Sequence, residues 1–231
     1  MTDYYTTVIG TADSTRWSFD INALYLSDPQ WDASPLVAHF TKAEALGAVR
    51  SMNVNSAPGP DGLGPAWYAA AWADTKTAVM ELQSSFHNGT ADLNRINRAH
   101  IVLLLKKECA CQPKDFRPIS LQNCPVKIIT KVLTTRLQRF IQHLVDVDQT
   151  GFIKGRSISE NFVYATELVQ HCHRKKFPTI VLKLDFAKAF DSVAWDSLLT
   201  VLQTRTFPPI WISWMRQLLA TVGQWLPRAL D

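Results

Sequence analysis

A chain of 231 residues that is 47% hydrophobic and 19% charged can bury a sizeable core, which argues against wholesale disorder. No run approaches the roughly 18 consecutive apolar residues that a membrane-spanning helix needs. The first residues, MTDYYTTVIG, lack the basic and apolar regions of a secretory signal, so the expected setting is the cytoplasm or nucleus. The net charge of +4 is unevenly spread: residues 1–60 carry three basic against six acidic side chains, and residues 95–176 carry fifteen against six. A basic block of that size suggests a polyanionic partner, although a solvated helix face has the same composition.

Residues 1–38 show weak periodicity and read as a loosely packed lead-in, with Trp17, Phe19, Leu24, Tyr25 and Leu26 as anchors. Thr41 and Glu44 form a T-x-x-E capping box that opens a helix, with Leu46 and Val49 starting its apolar stripe. The segment SAPGPDGLGP, residues 56–65, is too rich in Pro and Gly for helix or central strand, and Pro65 suits the first turn of a second helix. Tyr68, Trp72, Val79, Leu82 and Phe86 give that helix its stripe, and Asn88-Gly89 ends it.

AHIVLLL, residues 99–105, reads as a buried strand, and FRPISL as a second, so a hairpin with the long polar tip KKECACQPKD is expected. From Pro125 a long helix carries Ile128, Ile129, Val132, Leu133, Leu137, Phe140, Ile141 and Leu144 on one face. Lys127, Lys131, Arg136 and Arg139 lie elsewhere on it. The loop QTGFIKGRSIS leads to a helix at about 159–174, then TIVLKLD, residues 179–185, reads as a strand. Helices at about 195–204 and 209–220 follow. The cysteines, Cys109, Cys111, Cys124 and Cys172, form no CxxC pair. Even with His171 and His173 nearby they follow no zinc spacing, so reduced thiols are expected.

Chemistry concentrates in IVLKLDFAKAFDSVAW. An apolar strand delivers Asp185 at its C-terminal end, where α/β folds commonly place reactive groups. A carboxylate there suits Mg²⁺, and nucleotidyl transfer commonly uses two such ions, so one aspartate is not enough. The alternative is that Asp185 or Asp191 caps a helix.

LDFAKAFDSVAW resembles motif A of reverse transcriptases in its non-LTR (LINE-type) retrotransposon form. SAPGPDGLGPAWYAAAW resembles the PGPDG element that opens the polymerase region of that family, the stretch from Arg98 to Ile141 resembles its fingers hairpin and following helix, and DQTGFIKGRSISEN resembles its Q-x-G-F-x-x-G-R segment. The four blocks stand in the family order over roughly residues 40–205. The resemblance implies an α/β (α+β), helix-rich, incomplete right-hand polymerase, fingers plus partial palm. Its domains would be a lead-in at 1–38, a partial reverse transcriptase domain at 39–221 and a divergent tail at 222–231.

The resemblance also implies roles. Asp185 matches the first metal-binding aspartate, and Phe186 the position whose carbonyl helps hold the metal. Phe190 matches the aromatic gate that disfavours a 2′-hydroxyl. Arg117 matches the arginine that holds the triphosphate, and Lys106 or Lys107 the fingers lysine. The Lys match is looser, because Leu105 replaces the usual proline. Gln149, Gly151, Lys154, Gly155 and Arg156 fall in the element that borders the template path, where a loop-shaping role is the alternative. Mg²⁺, an RNA template, a DNA primer and deoxynucleoside triphosphates are the implied cofactor and partners; no membrane is implied.

The sequence also departs from the family pattern. It contains no GxxQGxPLSP segment and no [FY]-x-D-D, and its only acidic residue after Asp196 is Asp231. The expectation is therefore a reverse transcriptase fragment of a retrotransposon, inactive alone, with an exposed apolar palm surface and poor solubility. The alternatives are a non-catalytic RNA- or DNA-binding module and a fragment of a group II intron-type maturase.

Overall fold

The computed structural model of the chain describes residues 20–25, 31–109, 111–185 and 193–221. Its helices are α1 (Ile21–Leu24), α2 (Lys42–Ser51), α3 (Pro65–Ala70), α4 (Trp72–His87), α5 (Cys124–Leu137), α6 (Ile141–Leu144), α7 (Ile158–Lys175), α8 (Trp195–Thr204) and α9 (Pro209–Ala220). Strands β1 (Ala99–Leu105) and β2 (Phe116–Gln122) and short 3-10 turns at Ser34–Val37, Leu93–Arg95 and Pro113–Asp115 complete the described elements. The fold is thus mixed: helices and, among the described residues, one two-stranded antiparallel sheet. It divides into two compact units, Met1–Thr134 with Phe190–Asp231, and Thr135–Ala189.

In the first unit the N-terminal helix signal holds in full. Thr41 Oγ1 accepts the Glu44 N–H at 3.2 Å, and a Glu44 carboxylate oxygen accepts the Thr41 N–H at 3.0 Å, so both halves of the capping box form. Residues 31–38 join the packing: Leu36 is fully buried, and Trp31 meets Phe207 edge-on at 5.1 Å. The core centres on Trp214, whose ring lies 5.6 Å from Phe86 and 5.7 Å from Phe40. Its indole N–H donates to the His87 carbonyl at 3.3 Å, which satisfies the polar handle of a buried tryptophan. Asn97 and Gln217 extend the seam: the Asn97 amide donates to Leu218 O at 2.8 Å, and the Gln217 amide to Ala91 O at 3.0 Å. Residues near the hairpin base thereby hold the last helix.

Four expectations need correction. The segment 179–185 is not a strand; Ile180, Val181, Leu182 and Leu184 are all at least 70% exposed. A strand is stabilised by a ladder partner, and none pairs with it among the described residues. The single helix expected after Pro65 is two, with Ala71 between them; alanine is the best helix former, so local propensity does not cause this interruption. The helix expected to run through Leu144 stops at Leu137. There Arg139 N–H donates to Arg136 O and Phe140 N–H to Leu137 O, tight i→i+3 bonds that re-aim the apolar stripe. Arg136, expected off the apolar face, is buried.

Candidate nucleotide and nucleic-acid site

The hairpin forms because two β-rich runs flank a polar turn, and its register pairs Ala99 with Gln122 and Leu105 with Phe116. Alternation puts His100, Val102, Leu104, Arg117, Ile119 and Leu121 on one face. That face is open: Val102, Leu104 and Ile119 are 40–48% exposed, where a buried sheet would cover them. Arg117 stands opposite Leu104 on it, exposed, and its guanidinium has no hydrogen-bond partner among the described residues.

The hairpin tip is fixed by a residue that sequence reading missed. Asp115 is buried and accepts the backbone N–H groups of Cys111 at 3.2 Å and Gln112 at 3.0 Å, with the Lys107 ammonium at 2.9 Å. The Lys107 hydrogen bond first, then the backbone donors, hold its carboxyl at about 2. Its spacing after Gln112 and Pro113, at the third position of a short turn, was the available signal. The two candidate lysines therefore differ. Lys107 gives its charge to Asp115, whereas Lys106 donates to the neutral carbonyl of Lys114 at 3.0 Å and keeps its charge unneutralised.

The PGPDG loop is docked on the hairpin base. Asn123, buried just after β2, accepts the Asp61 N–H at 3.1 Å through Oδ1 and donates to Ile96 O at 3.0 Å through Nδ2. Gly59 lies so close that a Cβ there would sit 2.5 Å from Asn123 N and Oδ1 and 2.6 Å from Gln122 C. Its glycine is required by that approach, while Gly62, at φ +72°, is required by the turn. Tyr68 and Cys124 are buried nearby. Burial pushes the Tyr68 phenol up to about 12 and the Cys124 thiol up to about 11, which leaves both neutral and inert.

The QTGFIKGR segment belongs to the second unit. Arg156 donates to the carbonyls of Asp146, of Gln149 at 2.7 Å and of Val145 at 3.0 Å, so it shapes its own loop. The Gln149 amide donates to Gly151 O at 3.2 Å, and Gly155 takes φ +86°. Lys154 is exposed, as is Phe152, which holds a left-handed φ of +64° that is costly for a bulky side chain.

Asp185 is exposed at the end of the unpaired segment. Phe186 and Phe190, the expected carbonyl ligand and nucleotide gate, lie outside the described residues. Among the described residues no group of three His, Cys, Asp or Glu side chains converges. A hard cation such as Mg²⁺ needs near-octahedral oxygen donors, and Asp185 by itself offers one carboxylate. The described residues do not by themselves assemble a magnesium centre. All four thiols are free.

Arg117 is thus exposed on an open hairpin face, and the PGPDG loop is docked at the hairpin base. The sequence pattern of the reverse transcriptase (RNA-dependent DNA polymerase) family matches residues 104–229, and the chain belongs to that family. Its relatives place it on the non-LTR retrotransposon branch. It is 30% identical to the transposon TX1 uncharacterized 149 kDa protein of Xenopus laevis, over 83% of this chain and 15% of that protein. It is 27% identical to the Pol polyprotein of the type-2 retrotransposable element R2DM of Drosophila melanogaster, over 71% and 15%. Against the Pol polyprotein of the type-1 element R1 of Bradysia coprophila the values are 28%, 79% and 18%. The chain thus spans less than a fifth of the length of the curated relatives it matches.

Proposed function

We propose that these residues are the part of an RNA-directed DNA polymerase that holds the incoming deoxynucleoside triphosphate and the RNA template–DNA primer. The observation that carries this reading is Arg117, exposed and without a partner among the described residues, on the open face of a hairpin whose tip Asp115 fixes. A planar guanidinium suits two phosphate oxygens at once. Lys106 is the better of the two lysines for a second phosphate contact, because Lys107 is neutralised by Asp115. Phe190 is proposed as the gate against a 2′-hydroxyl. Asp185 and the Phe186 carbonyl are proposed as metal ligands. Gln149, Lys154 and Arg156 are proposed to border the template, with Arg156 acting through the loop it holds.

Bound Mg²⁺ would neutralise the phosphates and the departing pyrophosphate. The sequence has no [FY]-x-D-D carboxylates to complete its site, so we propose that these 231 residues do not polymerise unaided. Polypeptide beyond them or a second chain would supply the rest. The transposon and retrotransposon relatives favour this reading over a maturase. Action in the cytoplasm or nucleus is part of the proposal.

The test is fluorescence anisotropy with a labelled RNA–DNA primer hybrid in low salt. The chain should bind the hybrid, and the complementary deoxynucleoside triphosphate should tighten it. Arg117→Ala should weaken the triphosphate effect about tenfold or more, the scale of losing charge-assisted hydrogen bonds. A triphosphate effect that is absent, or unchanged in Arg117→Ala, would overturn the reading.

A further inference from the structure

The second unit carries a long exposed helix. No residue of α7 is buried, and its side chains form two separate stripes. Ile158, Phe162, Ala165 and Val169 make an apolar stripe. Tyr164, Leu168, His171 and Lys175 stand at i, i+4, i+7 and i+11, so they share a different side of the helix. Tyr164 is 68% exposed there. An open groove of about 410 Å³ runs beside it, lined by Tyr164, Glu167, Leu168, Gln170, His171 and Arg174.

Charge gathers at the C-terminal end of this side. Glu167 is the last acidic residue before Asp185, and between them the chain carries Arg174, Lys175, Lys176 and Lys183. Arg174, Lys175 and Lys176 are exposed, and their side chains have no ion pair or hydrogen bond among the described residues. One cation in the last turn would answer the helix dipole. Lys176 goes further: it ends α7 in the left-handed region at φ +54°, where glycine is the cheap residue. A strained backbone position thus holds a third cation in place. Phe177 follows, with its N–H donating to Cys172 O at 3.0 Å, and is 61% exposed. An aromatic ring therefore stands on either side of the basic turn.

We propose that this side of α7 and the turn after it bind a single strand of nucleic acid, with bases stacked on Tyr164 and Phe177 and phosphates held by Arg174, Lys175 and Lys176. The contact is separate from Arg117, and it rests on the reading above in taking nucleic acid as the partner. Rings interleaved with cations suit a strand whose bases are free to stack, whereas an acidic peptide offers the rings no planar bases. Glu167 repels phosphate from the middle of the groove and so steers the backbone toward the C-terminal turn. From Tyr164 to Lys175 the helix rises about 16 Å, room for a few nucleotides. Such a contact positions the strand without reading its sequence.

The experiment is anisotropy of a labelled single-stranded 12-nucleotide RNA, and of its DNA counterpart, against the full chain over a salt series. Both should bind, because bases and phosphates are common to the two. Arg174→Gln/Lys175→Gln should weaken binding about tenfold and lower the slope of log affinity against log salt by about one. Tyr164→Ala should weaken binding about tenfold with the slope unchanged, because stacking releases no counterions. Lys176→Gly should weaken binding and raise the thermal midpoint, since glycine relieves the left-handed strain; a loss of fold cannot do both. Lys76→Gln, on the exposed side of α4, should change neither affinity nor slope.

Unchanged affinity in the α7 variants would overturn this inference while leaving the nucleotide reading, tested at Arg117, standing. So would an equal loss in Lys76→Gln, the mark of diffuse charge, or binding confined to one of the two oligonucleotides. A polyglutamate peptide that displaces the oligonucleotide as well as unlabelled RNA does at equal charge concentration would also overturn it, by making the turn an acidic-peptide site. A wild-type chain that binds no oligonucleotide at low salt would overturn both readings.

Discussion

Replacing Gly59 by alanine tests how the PGPDG loop is held. The added Cβ would lie 2.5 Å from Asn123 N and Oδ1, against ordinary carbon contacts of about 3.5–4.0 Å, so loop and hairpin base must part by about 1 Å. Asn123 cannot swing away, because its backbone N–H donates to Arg98 O and its Nδ2 to Ile96 O. Overpacking of this kind costs about 1–3 kcal/mol. Loss of the Asp61 N–H bond to Asn123 adds about 1 kcal/mol, and the entropy that alanine removes from the unfolded chain returns about 0.4–1 kcal/mol. The expected net loss is about 2–3 kcal/mol, or roughly 5–10 °C in Tm for a chain of this size. Gly62→Ala meets no atom within 4 Å but must hold φ +72°, which costs about 1–2 kcal/mol, and Gly62→Asn should recover part of that. Thermal melts by circular dichroism, supported by urea titrations, would measure all three. A Gly59→Ala Tm within 1 °C of the wild type would refute the docked geometry.

Other expectations follow from single side chains. Gln83 is fully buried, and its amide nitrogen and oxygen have no hydrogen-bond partner among the described residues. Gln83→Met should raise stability by about 1–3 kcal/mol in urea titrations; a lower midpoint would show that the amide is satisfied. Asp115, held at about 2 by Lys107 and the tip N–H groups, has a folded value below its unfolded one. Its contribution is present above about pH 4 and is lost as pH falls through about 2. The wild-type advantage over Asp115→Asn should therefore be constant from pH 7 to 5 and shrink between pH 4 and 2, and a pH-independent difference would contradict the assignment. Thr41→Ala removes the α2 cap and should cost about 1 kcal/mol, read from the same titrations.

Local signals were legible in the sequence. The T-x-x-E box, both hairpin strands and the helices α7 to α9 follow from patterns within a few residues, and the structure places their ends within about two residues of the pattern. The four motif blocks were legible for the same reason, and they carried Arg117 and Asp185. Long-range devices were not. Asn123 pins residues 62 positions away, and nothing local marks it. Asp115 lay in a polar tip where a carboxylate looks solvated, yet the turn buries it. Arg136 and Gln83 sit among polar positions that the pattern assigns to solvent, and tertiary packing buries both. The 179–185 run shows the opposite failure: its composition suits a strand, but a strand also needs a partner, and composition does not supply one.

On the function proposed above, these residues hold nucleic acid and nucleotide but carry only part of a catalytic metal site. RNA-templated primer extension with the purified chain, Mg²⁺ and all four deoxynucleoside triphosphates tests it most directly. No extended primer above background is expected, alongside measurable binding of the hybrid. Extension that Asp185→Ala abolishes would contradict it, because a complete metal centre would then lie within these 231 residues.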